Sequence, residues 1–167
     1  MQFGFARAEE WTWQCFYADS SAFRGDAFYL QAFVLPRFVP TDHLHFDYGF
    51  RIGDQWEAVT AEVVERVRAA VPELERLATL DGLEAKACDA QNVRHAELRL
   101  CIAALRGDEA AFARERAATA GWDVALAWET EVVERCALVA DAVDDGGFGR
   151  ATAVLADRRA GVDRLIV

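Results

Sequence analysis

The chain has 167 residues, 53% of them hydrophobic and 28% charged, the proportions of an ordinary globule long enough to bury a core without disulfide staples. Its formal net charge of −10 argues against nucleic acid and anionic membrane surfaces, which need clustered Lys and Arg. The same charge suits a basic protein partner, steered by the opposite field, or plain solubility in a bacterial cytoplasm.

Aromatic residues crowd the first third: fifteen of the nineteen Phe, Trp and Tyr residues lie between Phe3 and Trp56. Aromatics suit a pleated, half-buried surface, whereas the Ala, Val, Glu and Arg that follow recur at helical spacing. Four strands are expected. Phe3 to Ala8 is short. Trp11 to Tyr17 alternates, with Trp11, Trp13, Cys15 and Tyr17 on one side and Thr12, Gln14 and Phe16 on the other. Ala27 to Leu35 is apolar on both faces, as in a central strand, and Pro36 and Pro40 end it. Leu44 to Ile52 alternates most clearly, with Leu44, Phe46, Tyr48, Phe50 and Ile52 opposite His43, His45, Asp47, Gly49 and Arg51. Short connections favour an antiparallel meander.

Helices begin near Trp56. Val59, Val63, Val67 and Val71 recur every four residues up to Pro72, which is expected to break the helix and open a second short one carrying Leu74, Leu77 and Leu80. Asp81 and Glu84 form a candidate capping pair for the next turn. Asn92 to Arg106 carries Leu98, Cys101, Ile102 and Leu105 and stops at Gly107. Asp108 caps a helix running to Thr119, and Gly121 ends it. Asp123 starts the longest helix, with Ala125, Trp128, Val132, Cys136, Val139 and Val143 on one side; Gly146-Gly147 ends it and Phe148 to Ala160 follows. The stretches around Gly107 and Gly146 echo each other: each is a helix, an acidic Gly turn, and an aromatic early in the returning helix. The fold class expected is α+β, a single domain with residues 1–56 forming a sheet of about four strands and 57–167 a helical layer.

Several short stretches in this order resemble a bacterial family of domains of unknown function, number 4304. They are Gly4-Phe5-Ala6-Arg7, Tyr29-Leu30-Gln31-Ala32-Phe33, Phe46-Asp47-Tyr48-Gly49-Phe50 and Pro72-Glu73-Leu74-Glu75-Arg76-Leu77, followed by the Leu98-to-Phe112 stretch with its Gly-Asp turn. The likeness extends to about Trp122. Members of that family generally carry a helix before the Gly-Phe motif, and none is expected in the three residues ahead of Gly4 here. The family supplies no catalytic residues; the resemblance implies a binding role of the kind found in toxin-immunity neighbourhoods.

Two sets of residues are candidates for function. Strand side chains at i, i+2 and i+4 point the same way, so His43, His45 and Asp47 could meet a metal, with Asp42, Glu9 or Glu10 as a further ligand; a solvated strand face is the favoured account of them. Glu129, Glu131 and Glu134 decorate the longest helix and Asp141, Asp144 and Asp145 end it, where carboxylates oppose the macrodipole; either a binding tip or a solvated turn would explain them. Nucleophilic catalysis finds little support. Ser20 and Ser21 are the chain's serines and lack an elbow motif, and Cys15, Cys88, Cys101 and Cys136 form no Cys-x-x-Cys and are expected as reduced core residues. There is no P-loop or dinucleotide fingerprint, and no cofactor is expected. Trp11, Trp13, Tyr17, Tyr29 and Phe33 could fill the core or form an aromatic interface. The favoured expectation is a non-catalytic protein, in the manner of an immunity or inhibitor protein, binding a basic partner through Glu134, Asp141, Asp144 and Asp145 or through His43, His45 and Asp47. A metal-dependent enzyme using those histidines, or a homodimeric structural protein, are the alternatives.

Overall fold

A computed structural model describes residues 2–20, 28–39, 46–52, 56–88 and 92–166. The architecture is α+β: strands β1 (Gln2–Ala8), β2 (Thr12–Ser20), β3 (Phe28–Pro36) and β4 (Phe46–Ile52) come first. Helices α1 (Trp56–Leu77), α2 (Leu80–Cys88), α3 (Val93–Arg106), α4 (Glu109–Ala120) and α5 (Ala127–Ile166) follow. No helix among the described residues is long and apolar enough to cross a membrane. The chain divides into two compact units, residues 1–36 with 44–82 and residues 37–43 with 83–167.

In the first unit the strands form the expected meander, order β1-β2-β3-β4, every pair antiparallel. Register places Gln14 opposite Val34 and Thr12 opposite Pro36 on one side, and Trp13 opposite Leu35 and Cys15 opposite Phe33 on the other. Ala32, Val34, Cys15 and Leu35 are buried, so β3 is apolar on both faces because both faces are covered toward its C-terminal end. The polar side of β2 is also inside. Thr12 is fully buried, and its hydroxyl donates to the Ala78 carbonyl at 2.9 Å, satisfying an acceptor at the end of α1.

α1 packs on β3 and β4 and runs through Pro72 instead of breaking there. Proline removes the N–H that would bond the Arg68 carbonyl, but Arg68 and Pro72 are both exposed, so that carbonyl lies on the solvent side of the helix. The buried stripe also departs from the valine series. Positions four apart advance about 400° and drift by about 40° per step. Val67 and Val71 are half-buried, and the fully covered positions are Ala70, Leu74 and Leu77. The next helix is capped by Thr79, not by the Asp81–Glu84 pair: Thr79 Oγ1 accepts from the Gly82 N–H at 3.0 Å and donates to the Arg76 carbonyl at 2.9 Å. A Cβ on Gly82 would lie 2.1 Å from that same Arg76 oxygen, so the tight turn between α1 and α2 requires glycine.

In the second unit α3 packs against both α4 and α5. Its central place explains why Leu98, Leu100, Cys101, Ile102 and Ala104 are buried around most of its circumference. Asn92 Oδ1 caps it by accepting from the His95 N–H at 3.0 Å, and beyond Gly107 the Asp108 N–H returns to the Ala103 carbonyl at 3.0 Å. Asp108 then caps α4 through the Ala111 N–H, also at 3.0 Å. α5 is two helical limbs joined at Gly146 (φ −160°, ψ 20°) and Gly147 (φ 69°, ψ −171°), the second a conformation open to glycine alone. The sequence echo becomes a contact: Phe112 and Phe148, the aromatics that follow the two acidic Gly turns, meet edge to face with centroids 5.5 Å apart. Residues 37–39 belong to this unit. Phe38 and Val39 are buried, and Arg37 makes a two-point ion pair with Asp163, one arm at 2.8 Å.

Candidate functional site

The first limb of α5 has one inner and one outer face. Val132, Cys136, Val139 and Ala140 are buried. The helix begins at Ala127, four residues later than Asp123, because Glu129 closes its N-terminus: its carboxylate accepts from the N–H groups of Ala125 at 2.8 Å and Leu126 at 2.9 Å. Those bonds, with a further one from the Trp122 side chain, hold the Glu129 carboxyl below its ordinary range.

On the outer face Glu131, Glu134, Leu138, Asp141 and Asp145 are all exposed, spaced by three, four, three and four residues, so they form one stripe along the helix. Leu138 at its centre is 59% exposed. None of the four carboxylates forms an ion pair with a described residue. The sequence-selected Glu134, Asp141 and Asp145 are thus brought together, with Glu131 and Leu138 added. Leu138 could have been found from its place between Glu134 and Asp141 on the polar side of the pattern, away from the apolar ridge.

Asp144 stands apart from this stripe. Its oxygens take two bonds from Arg116 of α4, at 2.8 and 2.6 Å, so its role is to tie α4 to α5. That guanidinium lowers the Asp144 carboxyl, and Asp144 in turn raises Arg116. Asp144 is therefore removed from the set of carboxylates available to a partner.

The sheet-side candidates are only partly placed. Asp47 lies in β4 opposite Phe33. His43, His45 and Asp42 lie outside the described residues. Glu9 is paired with Arg7 at 3.0 Å and accepts from Gln14 at 3.5 Å. Among the described residues no group of three or more His, Cys, Asp or Glu could hold a metal ion.

The cysteines divide into two kinds. Cys15, Cys101 and Cys136 are buried free thiols, and burial pushes Cys15 up to about 11 and Cys136 up to about 12, so they stay protonated and unreactive. Cys88, expected on an apolar face, is exposed at the C-terminus of α2, where the helix turns its last residue outward. Sequence reasoning also missed a buried charge. Glu97 of α3 is 2% exposed and receives both arms of Arg135 from α5, at 2.7 and 2.8 Å, while Arg158 approaches to 3.8 Å. The available signal was its position, four residues before Cys101 and four after Val93 on the apolar stripe. No family model, curated protein or solved structure matches the chain.

Proposed function

We propose that this chain is a non-catalytic, cytoplasmic protein that binds a basic protein partner, in the manner of an immunity or inhibitor protein, and that it is a divergent relative of domain-of-unknown-function family 4304. The observation that carries the reading is the outer stripe of α5: Glu131, Glu134, Asp141 and Asp145 without ion-pair partners among the described residues, around a Leu138 that is 59% exposed. An exposed apolar side chain flanked by carboxylates along one helix face is how an acidic interface combines an anchor with steering: the charges raise the rate of encounter with a basic surface, and the leucine contributes area once water is excluded. The Glu129 cap and the Asp144–Arg116 tie anchor this helix, which would lower the ordering cost of association.

The test is co-expression with the product of the adjacent gene, followed by affinity capture at low and high salt. Wild type is expected to retain a basic protein and protect growth, with capture weakening as salt rises. The Glu134→Lys, Asp141→Lys, Asp145→Lys triple variant should lose both effects while keeping its fold, since all three positions are exposed. Capture that is indifferent to salt and to the triple variant would overturn the reading.

A further inference from the structure

A cleft of about 490 Å³ in the helical unit, which shares no lining residue with the acidic stripe, is lined by Cys88, Asn92, Arg99, Arg114, Glu115 and Trp122, with Ala96 and Ala118. Its volume lies within the range of small-molecule sites. Its charge runs against that of the whole chain. Glu115, 5% exposed, accepts from Arg99 Nε at 2.9 Å through one oxygen and from Arg114 Nε at 3.0 Å through the other. Two guanidiniums therefore share one carboxylate and leave one net positive charge in a protein of formal charge −10.

The donors left over have a definite shape. Arg99 is held at two points and largely covered: its Nε is on Glu115, its Nη1 donates to the Ala87 carbonyl at 2.8 Å, and its side chain is 18% exposed. Arg114 uses only Nε, so both terminal nitrogens, Nη1 and Nη2, have no acceptor among the described residues, and its side chain is 65% exposed at the rim. That pair of nitrogens is the planar fork that receives a carboxylate two-point. Beside it the N-terminus of α3 carries no acidic residue in its first turn, which adds to the positive potential. Trp122 supplies an apolar wall. Its side chain is hydrogen-bonded to Glu129, which fixes the indole, so what it offers a ligand is ring surface.

We propose that this cleft binds a small monocarboxylate with a flat apolar body, the carboxylate on the Arg114 and Arg99 guanidiniums and the body against Trp122 with Ala96 and Ala118 leaving the room. One negative charge matches the one uncompensated positive charge, and the Trp122 wall favours a flat carboxylate over a small tetrahedral anion, which the fork by itself would also accept. The site is independent of the acidic face of α5 and stands or falls without it.

Cys88 provides the probe, because it is exposed and lines this cleft while Cys15, Cys101 and Cys136 are buried. Its alkylation by iodoacetamide forms the C–S bond as the C–I bond breaks, releasing iodide and the thiol proton. Benzoate is expected to slow this reaction saturably, whereas benzamide, the same ring without charge, and inorganic phosphate leave it unchanged at equal concentration. Arg114→Gln, at an exposed position, should keep the helical circular dichroism and raise the half-protecting benzoate concentration by about tenfold. Equal protection by benzamide or by phosphate, an unshifted midpoint in Arg114→Gln, or no saturation by about 20 mM benzoate would each overturn the assignment.

Discussion

Arg135 holds Glu97 with two parallel hydrogen bonds, Nε to Oε1 at 2.7 Å and Nη2 to Oε2 at 2.8 Å, across the α3–α5 packing and almost out of reach of water. The guanidinium of Arg158 closes the group by donating to the Arg135 carbonyl at 2.6 Å. A buried pair of this kind adds little over a well-packed apolar replacement, but it becomes a liability when one member is removed. Arg135→Met is therefore expected to destabilise the fold by about 3 kcal/mol, the lower end of the range for a stranded buried charge because Arg158 remains nearby. The double variant Glu97→Leu, Arg135→Met should recover most of that loss. Urea denaturation of the three proteins measures both, and a double variant as unstable as the single one would contradict the account.

The Arg116–Asp144 tie sets a pH dependence. Asp144 is lowered by Arg116, so in the folded state it binds its proton at lower pH than in the unfolded chain. The stabilisation is complete above the unfolded value of an aspartate and is lost as pH falls through the folded value. Wild type and Asp144→Asn should differ in unfolding midpoint at neutral pH and converge below the folded titration of Asp144. Thermal melts at a series of acidic pH values measure this; a difference that persists undiminished at the acid end would assign the effect to packing instead.

Where local chemistry decides the structure, it could be read directly. Asn92, Gly107 and Asp108 punctuate the α3–α4 pair because caps act within three residues, and the alternation of Trp13 and Cys15 with Thr12 and Gln14 placed β2 because side-chain period alone separates two faces. Where the outcome depends on partners distant in sequence, it could not. Pro72 stays inside α1 because its open side happens to face solvent, Thr12 is buried because α1 ends beside it sixty-six residues later, and Glu97 is inside because Arg135 meets it. The acidic stripe lay between these cases. Their place on the longest helix grouped Glu134, Asp141, Asp144 and Asp145, but only the fold withdraws Asp144 by pairing it with Arg116.

Two glycine-to-alanine substitutions should act in opposite directions. At Gly82 the new Cβ would meet the Arg76 carbonyl oxygen at 2.1 Å, main chain that cannot move without opening the α1–α2 turn. At Gly149, on the second limb of α5, a new Cβ would find nothing within 4 Å, and the backbone has no positive φ. Gly82→Ala is expected to cost about 2 kcal/mol or more, as a displaced packed turn does, and Gly149→Ala to stabilise by about 0.5–1 kcal/mol through helix propensity. Denaturation midpoints of the two variants against wild type decide it, and a tolerated Gly82→Ala would show that the turn has room to relax.

Burial should sort the four thiols by reactivity. Cys88 lies at the exposed end of α2, whereas Cys15, Cys101 and Cys136 are covered and held protonated by the loss of solvent, Cys136 with the buried Glu97 carboxylate adding to the effect. At pH 8 a thiol raised to about 12 is almost wholly protonated, and the thiolate is the attacking species. Mass spectrometry of native protein treated with iodoacetamide should therefore show one rapid alkylation, at Cys88, and three more only on adding denaturant. Cys88→Ser should abolish the rapid phase without touching the other three. Native labelling of Cys101 or Cys136 at a rate near that of Cys88 would mean that α3 and α5 open far more readily than their packing implies.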